Sequence, residues 1–235
     1  MKLNEIKPER ANDREAMIEQ FMEEHDIKKW KLNDEGRVDV DTDVNLYGHK
    51  QFKDGKLPFP WGHIEGWFQV DVAGLSSYEN FPTKVLRTCS LEGNKFTNFE
   101  GLDGTQQYRT YKFKDNPIKS LKNIHKHITS AEEVDFRGCP IEDSILGICL
   151  IDGLKYLNGR SPDTETHFTI FKHQGDPVKG RDGKLQYVDL ETAEIFSAKH
   201  AAFLIVEKYL GKGRAGVLDA QKELEELELD DFAKL

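Results

Sequence analysis

Residues 86–96 read LRTCSLEGNKF and place apolar side chains at fixed intervals around a single asparagine. The pattern is apolar-x-x-apolar-x-apolar-x-x-Asn-x-apolar, and Leu91 lies at its centre. It recurs around Phe113, 22 residues further on, and around Phe136, another 23 residues on. The successive copies are Leu86, Cys89, Leu91, Asn94 and Phe96; Tyr108, Tyr111, Phe113, Asn116 and Ile118; and Ala131, Val134, Phe136, Cys139 and Ile141. Three agreeing copies indicate a repeated structural unit.

Two incomplete copies precede these three. Around Val70, 21 residues before Leu91, four of the five places are filled, and only Glu65 breaks the pattern at the first place. One unit further back, only Val44 and Leu46 remain. A period of roughly 20–29 residues on this template is typical of leucine-rich repeats.

The template has a physical basis in a solenoid. Alternate side chains of each short strand point to the same face, so the two central apolar residues of each unit enter the core. An inward asparagine or cysteine can bond backbone groups of the turn that would otherwise be buried without partners. The pattern predicts an α/β fold: a leucine-rich-repeat solenoid of about four to five repeats with a parallel sheet on its concave face. The alternative is a meander of β-hairpins with accidental spacing.

Both ends of such a stack need caps, because the outermost repeats would otherwise expose apolar surface. We expect an N-terminal helical cap at 1–37, the solenoid at 38–145 and a C-terminal α+β region at 146–235. Asn12 and Glu15 resemble a capping box at the start of a helix over 13–25. That helix carries an apolar stripe of Met17, Ile18, Phe21 and Met22. Its alternative role is to bind a partner.

The C-terminal region contains several predicted elements. Residues 145–157, ILGICLIDGLKYL, are apolar enough to form a buried helix against the last repeat, and this makes Cys149 a packing residue. Residues 167–173 and 184–190 have the composition of strands. Amphipathic helices are expected over 191–210, with Ile195 facing inward, and over 215–229, with Val217, Leu218, Leu224 and Leu227 facing inward.

Composition limits the class of protein. The net charge of −9 disfavours general nucleic-acid binding, which requires clustered lysine and arginine. No apolar run approaches the roughly 20 residues of a membrane span, and the N-terminus has no hydrophobic signal core. The three cysteines are widely spaced and form neither a disulfide framework nor a zinc-binding pattern. We therefore expect a cytoplasmic protein with no metal or cofactor and no membrane partner.

The concave face is the predicted binding site. Its strand positions are acidic or neutral in the early repeats and basic in the later ones, and Tyr47 and Trp67 could serve as aromatic anchors. Such a polarised surface suits recognition of a protein. The alternative is a merely solvated sheet face. The predicted partner contacts are Tyr47, Trp67, Gln69, Asp71, Ser90, Glu92, Lys112, Lys114, Asp135 and Arg137.

A second, weaker candidate site lies in GKGRAG, residues 211–216. It lacks the spacing of a P-loop, and Gly211 fits the end of one helix before the next begins. Lys212 and Arg214 could nevertheless bind an anion near the start of the following helix. In the alternative function, residues 158–235 form a nucleotide-binding or catalytic unit that also uses His167 and His173, and the repeats target it. No catalytic arrangement of side chains is apparent, so an enzyme is the less favoured reading.

Several stretches resemble small leucine-rich-repeat proteins encoded by tailed bacteriophages. The matching residues are Trp30, Leu32, Asn33, Glu35, Gly36, Val38, Asp39 and Val40, the phrase VDVDTDVNLYG at 38–48, and the tail at 208–235. The chain departs from that pattern in its few, aromatic-rich repeats and in a long insert around 158–190. The resemblance implies an accessory or host-takeover protein acting in the host cytoplasm, and it transfers no catalytic residue.

These observations together predict a non-enzymatic protein-binding module that binds a bacterial host protein. A minor component of the virion is a further alternative.

Overall fold

The computed structural model describes residues 8–48, 52–102, 104–159, 178–179, 185–189 and 194–235. Its main sheet has nine strands, and a second sheet has three. The main sheet contains β1 (Trp30–Leu32), β2 (Val38–Val40), β3 (Val44–Asn45), β4 (Trp61–Ile64), β5 (Phe68–Gln69), β6 (Lys84–Ser90), β7 (Gln107–Lys112), β8 (Glu133–Asp135) and β9 (Tyr156–Asn158). The second contains β10 (Val178–Lys179), β11 (Leu185–Asp189) and β12 (Glu194–Phe196).

The described residues also form helices and 3₁₀ turns. They are α1 (Pro8–Glu24), α2 (Ile124–His127), α3 (Ala198–Glu207) and α4 (Gly213–Glu226), with 3₁₀ turns at Lys53–Gly55 and Leu146–Leu150. Among the described segments, no helix is both long and apolar enough to cross a membrane.

The main sheet is a parallel β-solenoid of about five turns. Strands β2, β4, β6, β7, β8 and β9 pair in that order and every one of these pairings is parallel. Strands β3 and β5 add a second parallel row that joins β6. Among the described strands of the main sheet, only β1 pairs antiparallel, with β2. Parallel pairing of consecutive units confirms the predicted repeat solenoid and rules out the hairpin meander, in which neighbouring strands would be antiparallel.

The centre of the solenoid core is formed by the paired apolar strand residues that the repeat pattern predicts to point inward. The two central apolar residues of each unit are at most 1% exposed: Val44, Leu46, Phe68, Val70, Cys89, Leu91, Tyr111, Phe113, Val134 and Phe136. Aromatic rings from successive units stack directly, as Phe113 and Phe136 do with centroids 5.5 Å apart. Burial of these apolar side chains supplies the main driving force for stacking the units.

The first place of the pattern was assigned to the wrong residue in two units. Leu86 is 40% exposed, whereas Val85 is 1% exposed and pairs with Tyr108. Strand β6 carries one extra residue, because Cys89 pairs with Tyr111 after a shift in register. The preceding unit behaves in the same way: Ile64 is buried and pairs with Val85, so Glu65 does not break the repeat.

Asn94 links two neighbouring units through its buried side chain. Its Oδ1 accepts hydrogen bonds from the backbone N–H groups of Ala73, at 3.1 Å, and Leu75, at 3.0 Å. Its Nδ2 donates to the carbonyl oxygens of Val70, at 2.7 Å, and Leu91, at 3.0 Å. One amide therefore satisfies four backbone groups of two successive turns, which confirms the predicted role of this position.

The next two units repeat the arrangement. Asn116 Nδ2 donates to the carbonyls of Leu91 and Phe113, both at 2.8 Å, and its Oδ1 accepts from Phe96 N at 3.1 Å. Cys139, in the equivalent place, lies with its Sγ 3.1 Å from the Phe113 carbonyl. These side chains form a continuous ladder through the solenoid interior.

Helix α1 packs its inward face on the first turns of the solenoid. Ile18 and Met22 are fully buried in the common core and Phe21 is partly buried against it. Two predictions about this helix were wrong. The helix begins at Pro8, so Asn12 lies inside it instead of capping it, and Met17 is 46% exposed because it falls on the outer face.

Residues 145–157 do not form the single buried helix that their composition suggested. A 3₁₀ turn at Leu146–Leu150 is followed by β9, which pairs in parallel with β8. Leu154 and Leu157 pack inward with the same spacing as Ala131 and Val134 in the preceding unit. The solenoid therefore continues beyond residue 145 by one strand.

The C-terminal helices cover this last strand. A Cβ atom on Gly159 would lie 2.1 Å from the Phe203 ring of α3, so the two elements are in close contact. Lys199 Nζ donates to the Cys139 carbonyl at 2.6 Å. The predicted helix over 191–210 is shorter than expected, because Ile195 lies in β12 and Ser197 caps the helix.

Two further C-terminal predictions have different outcomes. The strand prediction for 184–190 is confirmed by β11, whereas residues 167–173 lie outside the described residues. Helix α4 buries Val217 and Leu224, and Leu227 is partly buried. Leu218, by contrast, is 67% exposed and points away from the core, contrary to the prediction.

We predict that Asn94→Ala lowers the free energy of unfolding by about 3 kcal/mol, because buried N–H and C=O groups lose their partners. The measurement is urea unfolding followed by circular dichroism. Asn98→Ala is the control, since the Asn98 side chain is exposed and bonds only neighbouring groups of its own turn; we expect it to cost less than about 1 kcal/mol. Equal costs for the two variants would contradict the ladder's role.

Candidate functional site on the exposed sheet face

Outward-pointing residues of the parallel strands form three rows across the sheet. The central row is Asn45, Gln69, Ser90, Lys112, Asp135 and Asn158, each paired with the next. The upper row, two residues later in each unit, is Tyr47, Asp71, Glu92, Lys114 and Arg137. The lower row is Trp67, Thr88, Thr110, Glu133 and Tyr156. All ten predicted partner contacts fall in these rows.

Three of those ten residues are buried within the face and serve the scaffold. Asp71 is 4% exposed, and its carboxylate accepts hydrogen bonds from Glu92 N at 2.8 Å and Gln69 Nε2 at 2.6 Å. Ser90 is 7% exposed and Asp135 is fully buried. These side chains leave little surface for a partner, so contacts must come from their longer neighbours.

Asp135 and Arg137 form a bidentate ion pair. Arg137 Nε lies 3.0 Å from both carboxylate oxygens and Nη2 lies 2.6 Å from Oδ2, while Arg137 N donates to Oδ1 at 3.0 Å. This pairing raises the pKa of Arg137. The arginine side chain remains about a third exposed, so it compensates a buried charge and still borders the open face.

Glu92 lies where the acidic and basic parts of the face meet. Partial burial raises the pKa of its carboxyl above the usual value, and the nearby Asp71 carboxylate acts in the same direction. Lys112 and Lys114 act in the opposite direction and favour the ionised form. The Glu92 carboxyl is therefore influenced both by the acidic Asp71 and by the basic Lys112 and Lys114.

The lower row forms the floor of a hollow of about 450 Å³. Trp67, 52% exposed, and Tyr156, 58% exposed, stand at its two ends. Thr88, Thr110 and Glu133 lie between them. A hollow of this volume lies within the range typical of ligand sites. Of the ten predicted contacts, Trp67 alone lines this hollow.

Seven residues of this hollow are not among the ten predicted contacts: Arg87, Thr88, Arg109, Thr110, Glu132, Glu133 and Tyr156. Tyr156 lies in a segment predicted as helix. The Leu154-x-x-Leu157 spacing matches the preceding unit and indicates a further strand. Arg87 was overlooked because the extra residue of β6 is not apparent in the pattern.

A ladder of ion pairs borders the hollow. Arg109 Nε and Lys155 Nζ both contact the Glu132 carboxylate, the latter at 3.4 Å. The hydrogen bond from Arg109 is the largest cause of a lowered pKa for Glu132. The two cations outnumber the one carboxylate, so this border carries one net positive charge. Arg87, by contrast, makes no hydrogen bond or ion pair within the described segments.

The second candidate site has a simpler geometry. Lys212 and Arg214 lie at the exposed start of α4, where Lys212 Nζ sits 4.7 Å from the Tyr209 ring centroid. Gly211 has φ +71°, the left-handed conformation expected of a glycine that links two helices. His167 and His173 lie outside the described residues. Over the described part of the chain, no three His, Cys, Asp or Glu side chains are arranged to hold a metal ion.

The chain was compared with protein-family models, curated proteins and solved structures, and none of the three comparisons found a match. Function is therefore inferred from the sheet face and its chemistry.

We predict that Arg137→Met costs about 2 kcal/mol of unfolding free energy, because it leaves the buried Asp135 carboxylate without its cation. Urea unfolding at neutral pH gives the measurement. Lys114→Met is the matched control: its partner Asp115 is exposed and 3.7 Å away, so we expect a change below about 0.5 kcal/mol. A cost for Arg137→Met no larger than that of the control would refute the scaffold role of this pair.

We also predict that no cysteine reacts with a thiol reagent in the native protein and that all three react in urea. Cys89, Cys139 and Cys149 are free and buried. Burial raises the pKa of each thiol, to about 12 for Cys139 and about 11 for Cys149, so little nucleophilic thiolate forms. Mass spectrometry after maleimide treatment counts the adducts. Rapid native labelling of Cys149 would indicate a reactive thiol.

Proposed function

We propose that this protein is a non-enzymatic binding module that binds another protein through the exposed sheet face. The hollow between Trp67 and Tyr156 is the observation that carries the proposal, because two large aromatic side chains are held exposed on a rigid sheet. Exposed aromatics and arginines of this kind contribute most of the binding energy at protein interfaces. The charges of both signs around them supply orientation and specificity.

We further propose that the scaffold is a leucine-rich-repeat solenoid closed by caps at both ends. The spacing of the units and the ladder of Asn94, Asn116 and Cys139 support the repeat type. The buried face of α1 supports an N-terminal cap, and the close contact of α3 with the last strand supports a C-terminal cap.

The proposed partner is a bacterial host protein. This rests on the resemblance to phage-encoded repeat proteins, which also favours action in the host cytoplasm. Binding would inhibit or redirect the partner, as an accessory or anti-defence protein does.

The test removes the face's contacts without disturbing its scaffold. A triple variant, Trp67→Ala, Glu92→Ala and Lys112→Ala, replaces one aromatic, one acid and one base. Arg137 is left in place because its loss would expose Asp135. The matched control is Leu218→Ala, Asp219→Ala and Lys222→Ala on the exposed side of α4, which removes one large apolar, one acidic and one basic side chain.

We predict that affinity capture from bacterial lysate, quantified by mass spectrometry, enriches a partner with the wild type and with the α4 control. The face variant should lose at least about tenfold in affinity when titrated with that purified partner, since two or three interface contacts are removed. Circular dichroism verifies that both variants fold. Equal binding by both triple variants would exclude the sheet face as the interface.

A further inference from the structure

The two aromatic side chains of the hollow are separated by a definite number of strands. Trp67 lies one residue before Phe68, which pairs with Cys89. The equivalent positions on the next four strands are, in order, Thr88, Thr110, Glu133 and Tyr156. Four steps of about 4.8 Å place the two aromatic positions about 19 Å apart. Any ligand that contacts both must span that distance across the strands.

Two charges without an ionic partner lie between these aromatics. Arg87 is exposed beside Thr88, toward the Trp67 end, and within the described residues it makes no ion pair. Glu133 lies next to Tyr156, and its Oε1 accepts one hydrogen bond from Asn158, at 2.9 Å, with no cation within ion-pair distance among the described side chains. The neighbouring Glu132 differs, because Arg109 and Lys155 neutralise it.

The floor of the hollow also offers hydrogen-bonding groups. Thr88 is partly exposed and Thr110 is 8% exposed; neither hydroxyl makes a hydrogen bond to a described residue, and each can both donate and accept. A segment of polypeptide that crosses the floor needs such partners for its own backbone N–H and C=O groups. Short threonine side chains also leave room for a main chain between the two aromatics.

These features define a particular kind of occupant. Building on the proposed function, we propose that the hollow binds an extended peptide segment of the partner, with apolar aromatic residues at positions i and i+6. Six residues at about 3.3 Å each span about 20 Å, and positions separated by an even number point to the same side. The segment carries an acidic residue at i+2 and a basic residue at i+4.

The charge order follows from the same spacing. With position i on Trp67, position i+2 lies about 7 Å along the hollow, next to Arg87 and Thr88, where a carboxylate is favoured. Position i+4 lies about 13 Å along, next to Glu133, where an ammonium or guanidinium group is favoured. A helix would need about 13 residues to reach from one aromatic to the other, and it would present no free backbone groups to the threonines.

The test uses four capped peptides titrated into the full-length protein by calorimetry. They are FSESKSF, which meets every requirement; FSESSKSF, in which one inserted serine puts the two aromatics on opposite sides; FSQSQSF, which lacks the charges; and ASESKSA, which lacks the aromatics. We expect FSESKSF to bind about tenfold or more tightly than each of the other three. Equal affinity for FSESKSF and FSESSKSF would overturn the extended conformation.

A variant that reverses the charge preference of the hollow distinguishes a change in peptide binding from a loss of folding. Arg87→Glu replaces a side chain without described bonds, so the fold should be unaffected, and both unpaired charges of the hollow become acidic. Wild type should favour FSESKSF over FSKSKSF, and Arg87→Glu should reverse that order. Trp67→Ala and Tyr156→Ala should each weaken FSESKSF about tenfold, whereas Leu218→Ala, which removes an exposed apolar side chain from α4, should leave it unchanged.

The remaining outcomes distinguish this proposal from the function on which it rests. If no peptide binds while the triple face variant still loses its protein partner, the peptide proposal is wrong and the protein-binding function stands. If capture is also unaffected by the face variant, both are wrong. Binding of a neutral hexasaccharide, titrated in parallel, in place of the peptides would indicate a glycan site and would also overturn the proposal.

Discussion

The fold depends on a small number of buried side chains that bond the backbone of two turns at once. Asn94 and Asn116 each donate to the carbonyl of their own unit and to that of the preceding unit. Buried backbone groups without partners would cost free energy at every turn. These amides remove that cost and so stabilise the tightly coiled chain. Because each one bonds a fixed position in its neighbour, they also set the register between units.

That register decides what the outer face can do. Strands held in register place the Asp71 carboxylate against Glu92 N and Arg109 beside Glu132, so some polar residues of the face satisfy each other within the scaffold. The remaining side chains stay exposed and carry uncompensated charge or aromatic surface. A rigid sheet holds these groups without further ordering on binding, which lowers the entropic cost of recognition.

The repeat pattern predicted most of the core because side-chain alternation in a strand is a local rule. It failed where the structure adds a residue or changes an element. Leu86 matches Tyr108 by spacing in the sequence, yet the bulge in β6 makes Val85 the residue that pairs with Tyr108. The segment containing Tyr156 is mostly apolar, and an apolar run of that length does not distinguish a helix from a turn followed by a buried strand.

The sequence by itself determined the repeating unit, the inward-facing residues and the rows that face outward, because each depends on spacing along a single strand. Tertiary structure alone decided which outward residues are buried by their neighbours and which stay free. Asp71 and Glu92 are both acidic and equally placed in the pattern, yet one is bonded within the sheet and the other lies between opposing charges. Trp67 and Tyr156 likewise reach the two ends of one hollow only through the stacking of five units, since the two residues are far apart in the chain.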